Sequence, residues 1–214
     1  MKVFVVGATG QIGKHLIELL KNSEQHTVRA MVRKKEQAEE LKNQGIDVAV
    51  ASLEGSVEDI AEAANGCDAI VFTAGSGGHT GLDKTLLIDL DGAAKTVEAA
   101  EQAGIKRFVI VSALQANHRE NWNKEMVPYY VAKHYADRMV ETSNLDYTII
   151  RPGGLLNEAS TGKITASANL ETGSIPREDV AKTIYASIDA QETFKKSFDL
   201  ISGETKIEEA LKNI

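Results

Sequence analysis

From end to end the chain alternates short, β-branched apolar runs with longer stretches whose apolar residues recur at helical spacing. That alternation restricts it to βαβ units, because parallel strands need a crossover of a dozen or more residues and a helix fills it. Strands are expected at 2–6, 27–32, 46–50, 68–73, 106–111, 146–150 and 196–201. Runs such as Phe108-Val109-Ile110-Val111 are apolar on both sides of the pleat, as in a parallel sheet covered on both faces. Helices are expected at 11–21, 34–43, 57–64, 82–103, 127–142, 177–189 and 206–212. Ser56 with Asp59 and Thr205 with Glu208 have the spacing of N-terminal capping boxes. Right-handed crossovers and short loops make a doubly wound, mainly parallel α/β sheet the most economical topology. A length of 214 residues suits one domain, 1–214, that buries roughly 70% of its unfolded surface. Only 151–175 breaks the rhythm. It is Gly-rich, lies beyond a strand's C-terminal end, and is expected to form a small flap of short strands over a ligand.

Charge narrows the partners. Lys and Arg total 24 against 31 Asp and Glu, a net charge of −7. That field repels phosphate backbones and anionic lipid, and no basic run is long enough to reverse it, so neither nucleic acid nor a membrane is expected as partner. The one cysteine, Cys67, cannot form an internal disulfide, which fits a reducing, cytoplasmic setting. The apolar run Val3 to Val6 is too short for a signal peptide, and no run approaches the roughly 18 residues of a membrane span. His15, His26, His79, His118 and His134 lack ligand spacing, so no metal is expected. No Gly-x-Ser-x-Gly elbow or Gly-Lys-Ser/Thr phosphate loop is present, against a hydrolase of that type or an NTPase.

The first strand runs directly into Gly7-Ala8-Thr9-Gly10-Gln11-Ile12-Gly13, after which helical spacing begins. Glycines let the backbone turn sharply and approach a diphosphate, and the helix that follows presents free N–H groups and a positive dipole end. Gly13 permits close packing of helix on sheet. A dinucleotide is therefore expected at this turn. An acid for the ribose 2′-hydroxyl of NAD should lie about 20 residues further on, but the second strand ends in Arg33-Lys34-Lys35. Three cations opposing a helix dipole suit an anion among them, so NADP(H) is expected over NAD(H). Ser52-Leu53 and Ala74-Gly75-Ser76-Gly77-Gly78 follow the third and fourth strands on the same rim, where adenine and ribose would lie.

The fifth strand ends at Val111 and is followed by Ser112. The next helix carries Tyr129 and Lys133, four apart and so on one face, where an ammonium can lower the pKa of a phenol. Ser112 is placed to hydrogen-bond a substrate oxygen. His79, His118 and Trp122 lie in loops near the same strand ends, Cys67 reads as a small buried hydrophobe, and Asp89 and Asp91 read as shaping the fourth helix.

Together these features resemble the atypical short-chain dehydrogenases/reductases of the NmrA-like and biliverdin/flavin-reductase-like kind. The resemblance is carried by the glycine turn, Val32-Arg33, Asp89-Leu90-Asp91-Gly92, Val109-Ile110-Val111-Ser112, Tyr129-x-x-x-Lys133 and Arg151-Pro152-Gly153. It implies a Rossmann fold and a nicotinamide above Ser112, Tyr129 and Lys133, with Lys133 on its ribose and Pro152-Gly153 near its carboxamide. Arg33 and Ser52-Leu53 would flank the adenosine. Two features depart from the family: Ser52 stands where Asp is common, and no Asn occurs between Leu82 and Ala103. The expected activity is NADP(H)-dependent hydride transfer to a small carbonyl or related unsaturated compound, by a monomer or homodimer. The alternatives are a non-catalytic NADP(H) sensor, an NAD(P)-dependent epimerase, and a flavin or tetrapyrrole reductase that relies on cofactor geometry.

Overall fold

The computed structural model describes residues 1–78 and 80–214; His79 lies outside them. In chain order the strands are β1 (Lys2–Val6), β2 (Thr27–Val32), β3 (Asp47–Val50), β4 (Ala69–Phe72), β5 (Arg107–Val111), β6 (Asp146–Pro152), β7 (Gly154–Leu156), β8 (Lys163–Ser167), β9 (Ser174–Pro176), β10 (Lys196–Ser202) and β11 (Thr205–Lys206). Nine form one sheet in the order β11-β8-β10-β6-β5-β4-β1-β2-β3, parallel from β10 to β3. The chain winds outward from β1 to β3 and then crosses back to β4 on the other side of β1. The winding reverses between β1 and β4, and the C-terminal ends of these strands form the switch point, where open α/β sheets bind ligands.

The helices are α1 (Gln11–Lys21), α2 (Lys35–Asn43), α3 (Val57–Ala64), α4 (Leu82–Lys84), α5 (Asp91–Gln102), α6 (Val127–Thr142), α7 (Arg177–Ser187) and α8 (Ile207–Leu211). Two apolar layers hold them. Val3 and Val5 of β1 pack with Leu16, Leu20 and Ile184 on the α1 and α7 side. Phe4 and Val6 pack with Ile60, Val97 and Val140 on the α3, α5 and α6 side. Successive residues of one strand are thus buried on opposite faces, the physical reason for the unbroken apolar runs.

The capping box at Ser56 forms: Asp59 N–H donates to Ser56 Oγ at 3.1 Å, and Ser56 N–H to Asp59 Oδ2 at 3.4 Å. The one expected at Thr205 does not, because Thr205 is drawn into β11 opposite Ile164 and Lys206 becomes the residue before α8. The continuous helix expected over 82–103 is interrupted by a π turn, Thr85–Leu90, between α4 and α5. The flap expected at 151–175 is only partly separate. Arg151 and Pro152 finish β6, and β8 joins the main sheet antiparallel to β10, leaving β7 and β9 as a two-stranded pair.

Candidate functional site

At this switch point, Gly7 has φ +88°, and a Cβ there would stand 2.6 Å from Ala74 N, so the turns after β1 and β4 are in backbone contact. A Cβ on Gly13 would run into the Gly7 carbonyl oxygen. Gly10 precedes α1 with extended backbone and has no side chain to cap it, and the first turn of α1 carries no acid. The first N–H groups of α1 therefore stay open for an anion. Thr9 and Gln11 are exposed beside this turn, whereas the Ile12 side chain is in the core and offers only its backbone. A turn that glycines allow to pack tightly, beside an uncapped helix end with open N–H groups, fits a dinucleotide diphosphate.

Arg33, Lys34 and Lys35 are exposed where β2 passes into α2, and none pairs with a carboxylate among the described residues. Lys34 N–H donates to Gln37 Oε1 at 3.2 Å, so a glutamine supplies the cap and leaves the cations free. Ser52 and Leu53 turn away from the rim in part. Ser52 Oγ accepts Glu54 N–H at 3.2 Å, and Leu53 is buried beneath Gly92.

Around the end of β5 the structure assembles Ser112, Tyr129 and Lys133. Ser112 is buried, and its Oγ has no partner among the described residues. Lys133, 3% exposed, donates from Nζ to the Val111 carbonyl at 2.8 Å and lies 4.0 Å from Asp89 Oδ1. Burial lowers its pKa, with Asp89 and Asp137 opposing. Tyr129, half-buried, has no hydrogen bond to its hydroxyl among the described residues. Its pKa is raised, first by burial and then by Asp89, Tyr130 and Asp137. This differs from the expected lowering by Lys133: a buried ammonium has to find acceptors and a counter-charge, and it finds them at Val111 and Asp89 instead of at the phenol. Pro152 is buried at the end of β6, and Gly153 is pressed against Gly173.

Several buried polar residues of this region have partners that their place in the sequence does not reveal. Arg151, 2% exposed, donates from Nε to Asp137 Oδ2 at 2.8 Å and from NH2 to Glu141 at 3.4 Å. Only the α6 side is marked locally, since Tyr129, Lys133, Asp137 and Glu141 form an i, i+4 ladder on α6. Asp199, fully buried on β10 beside Arg151, accepts Leu170 N–H at 3.0 Å. Burial raises its pKa, opposed by the N–H groups of Leu170 and Gln115 and by Arg151 and His118. Gln115, at φ 63°, reaches Asn169 Oδ1 at 2.6 Å and accepts from Asn121 Nδ2 at 2.6 Å, tying the loop after β5 to the loop after β8. Trp122 stacks on Tyr130 with ring centres 5.8 Å apart, while His118 faces Glu120 at the surface. Asp137 Oδ1, Asp199 Oδ1 and Asn117 Oδ1 are, like Ser112 Oγ, buried without a partner among the described residues. Among those residues no three His, Cys, Asp or Glu side chains converge as for a metal, and no helix is long and apolar enough to cross a membrane.

A glycine turn under an uncapped helix end, at the switch point of a mostly parallel sheet, defines an NAD(P)-binding protein of Rossmann fold. The chain belongs to the NAD(P)H-binding family, whose model matches residues 7–191. It is 61% identical to the uncharacterized sugar epimerase YhfK of Bacillus subtilis (strain 168), over 100% of both chains. Among solved structures it is similar to a putative NAD-dependent epimerase/dehydratase from Bacillus halodurans, with 46% identity, TM-score 0.93 and 100% of both chains covered. It is also similar to ChuY, an anaerobillin reductase from Escherichia coli O157:H7, at 28% identity and TM-score 0.82, covering 96% of this chain and 99% of that one.

Proposed function

We propose that the protein is an NADP(H)-dependent oxidoreductase that reduces a small carbonyl or related unsaturated compound. The observation that carries this reading is the set of open polar groups at one strand end: the Tyr129 hydroxyl and the buried Ser112 Oγ, both without protein partners among the described residues, beside a buried lysine. Buried polar groups are rarely left unmatched, so an unmatched set at the strand ends favours a ligand that completes it. The glycine turn from Gly7 through Thr9, Gly10, Gln11 and Ile12 would hold the diphosphate. Arg33 and Lys34 would hold the 2′-phosphate, and Ser52, Leu53, Ala74, Gly75 and Ser76 would border the adenosine. Lys133, with Tyr129, Pro152 and Gly153, would border the nicotinamide. Bound there, the reduced nicotinamide supplies the hydride. Ser112 Oγ orients the substrate oxygen, and Tyr129 Oη donates the proton. Burial keeps this phenol protonated at neutral pH but makes it a weaker acid, so its role as donor needs a neighbouring cation such as Lys133 to lower its pKa when substrate is bound.

The ChuY description supports reduction, while those of the two Bacillus relatives favour a second reading, epimerisation through a transient oxidised intermediate. Epimerisation begins with removal of a hydroxyl proton, for which a phenol with a raised pKa is poorly set. We keep one domain over 1–214, with 151–175 on the substrate side, as monomer or homodimer. A cytoplasmic location is part of the same proposal and rests on the chain's having a single cysteine, Cys67, and so no internal disulfide.

Calorimetry with NADPH, NADP+, NADH and NAD+ tests the reading. NADPH should bind at least about tenfold more tightly than NADH, and Arg33→Ser with Lys34→Ser should erase that margin. Equal affinity in the parent protein refutes NADP(H) selectivity. Tyr129→Phe should keep NADPH binding and lose about 10²-fold or more in turnover with an accepted carbonyl; an undiminished rate refutes its role. Unequal binding of oxidised and reduced cofactor, with no acceptor consumed across carbonyls, quinones and flavins, would mark a sensor instead.

A further inference from the structure

Between α4 and α5 the chain widens into the π turn, and Asp91 N–H bonds back to the Leu86 and Leu87 carbonyls. Such turns frequently mark functional sites. This one carries Thr85, Ile88 and Asp89 inward, while Leu86 and Leu87 stay exposed. Asp89 is 2% exposed. Its Oδ2 accepts Ser76 N–H at 3.0 Å, and its Oδ1 lies 4.0 Å from Lys133 Nζ. Thr85 Oγ1 adds a contact to Ser76 Oγ at 3.4 Å. A Cβ on Gly75 would stand 3.2 Å from Asp89 Oδ1, so loop and carboxylate are in close contact.

A buried ammonium requires a counter-charge. Lys133 is faced by Asp89 from the π turn and by Asp137 from its own helix. Asp137 holds Arg151 through Oδ2 at 2.8 Å, and among the described residues only Asp89 brings a carboxylate oxygen within 4.0 Å of Lys133 Nζ, so Asp89 is the acid that balances the lysine. We propose that Asp89 is a positioning residue whose carboxylate ties the loop after β4 to the Lys133 ammonium, so that a nucleotide settling on that loop also fixes the lysine. This rests on the switch point being an NADP(H) site, and it gives the helix a task beyond its own shape. The family's Asn is absent from this helix, and an anion stands against the lysine.

Asp89→Asn keeps the size and an oxygen for Ser76 N–H while removing the charge. Lys133 is followed by its side-chain ¹³Cε resonance, assigned by its loss in Lys133→Arg. In the nucleotide-free Asp89→Asn variant its titration should fall by about one pH unit or more relative to the parent. An unmoved titration overturns the proposal, because a residue that only shapes the helix leaves Lys133 unaffected. Calorimetry with NADP+ should show a dissociation constant raised about tenfold, and unchanged affinity overturns the proposal as well. If the variant fails to fold, NADP+ is titrated into the parent protein while the Ser76 amide and Lys133 resonances are followed. They should shift together with one midpoint, and a Lys133 resonance that stays still overturns the tie. A parent protein that binds none of the four dinucleotides removes the functional reading instead, while the nucleotide-free titration of Lys133 still decides whether Asp89 holds it.

Discussion

Asp179, in the first turn of α7, clasps the segment between β7 and β8. Ser160 Oγ donates to it at 2.5 Å, Thr161 N–H and Gly162 N–H at 2.9 Å each, and Thr161 Oγ1 at 3.2 Å. Burial pushes this carboxyl up, but the four donors outweigh burial and hold it below its ordinary value of 3.8. In Asp179→Asn one oxygen still accepts, while the amide that replaces the other faces groups already donating. About two charge-assisted bonds are lost. Thr161 is exposed and Ser160 and Gly162 only half-buried, so water recovers part of each, and about 1–1.5 kcal/mol per bond gives a loss of about 2–3 kcal/mol. At about 2–4 °C per kcal/mol for a chain of this length, Tm should fall by about 4–12 °C. The sign with pH follows from the depressed carboxyl. Its contribution is complete above the unfolded value of 3.8 and is lost as pH falls through the folded one. Urea unfolding of parent and variant should therefore show a constant gap from about pH 5 to 8 that closes as pH falls below about 4. A Tm change under about 2 °C, or a gap that persists undiminished at pH 3, refutes the clasp.

Two further outcomes test the glycine turn and the opposite end of the parallel strands. Gly7→Ala forces a Cβ into a position at φ +88° and 2.6 Å from Ala74 N, so dinucleotide affinity should drop at least about tenfold by calorimetry. Parent-like binding would show that the two turns are not pressed together. Arg107 is buried under Phe194 and donates to the carbonyls of Ile188, Asp146 and Ser187 and to Thr148 Oγ1. Burial brings its pKa down to about 10, with Asp146 and Asp189 opposing. Arg107→Met should cost about 3–5 kcal/mol in chemical denaturation, because those acceptors lose their donor, and a loss under about 1 kcal/mol would mean that water replaces it freely.

Much of the scaffold was legible because its signals are local. β1, α1, β2, α3 and α6 occupy the expected residues, and the Ser56 box forms, since strand periodicity, glycine punctuation and capping act over a few residues. The second expected box failed for a non-local reason: β8 offers Thr205 a partner strand, and ladder pairing prevails over a cap. The π turn was invisible in the periodicity because its inward residues keep a three- or four-residue spacing; only the ring of bonds shows the wider turn.

The sequence alone determined where the main strands and helices fall, the glycine turn against an uncapped helix, the three cations after β2, and the adjacency of Tyr129 and Lys133 along one helix face. All of these are set by neighbours within a turn or a strand. Tertiary structure decided which groups those side chains meet. Lys133 turns to Val111 and Asp89, Arg151 pairs with Asp137 beneath Tyr129, and Gln115 and Asp199 join the loops after β5 and β8. Charge burial depends on partners brought together from distant parts of the chain, and no local spacing encodes that.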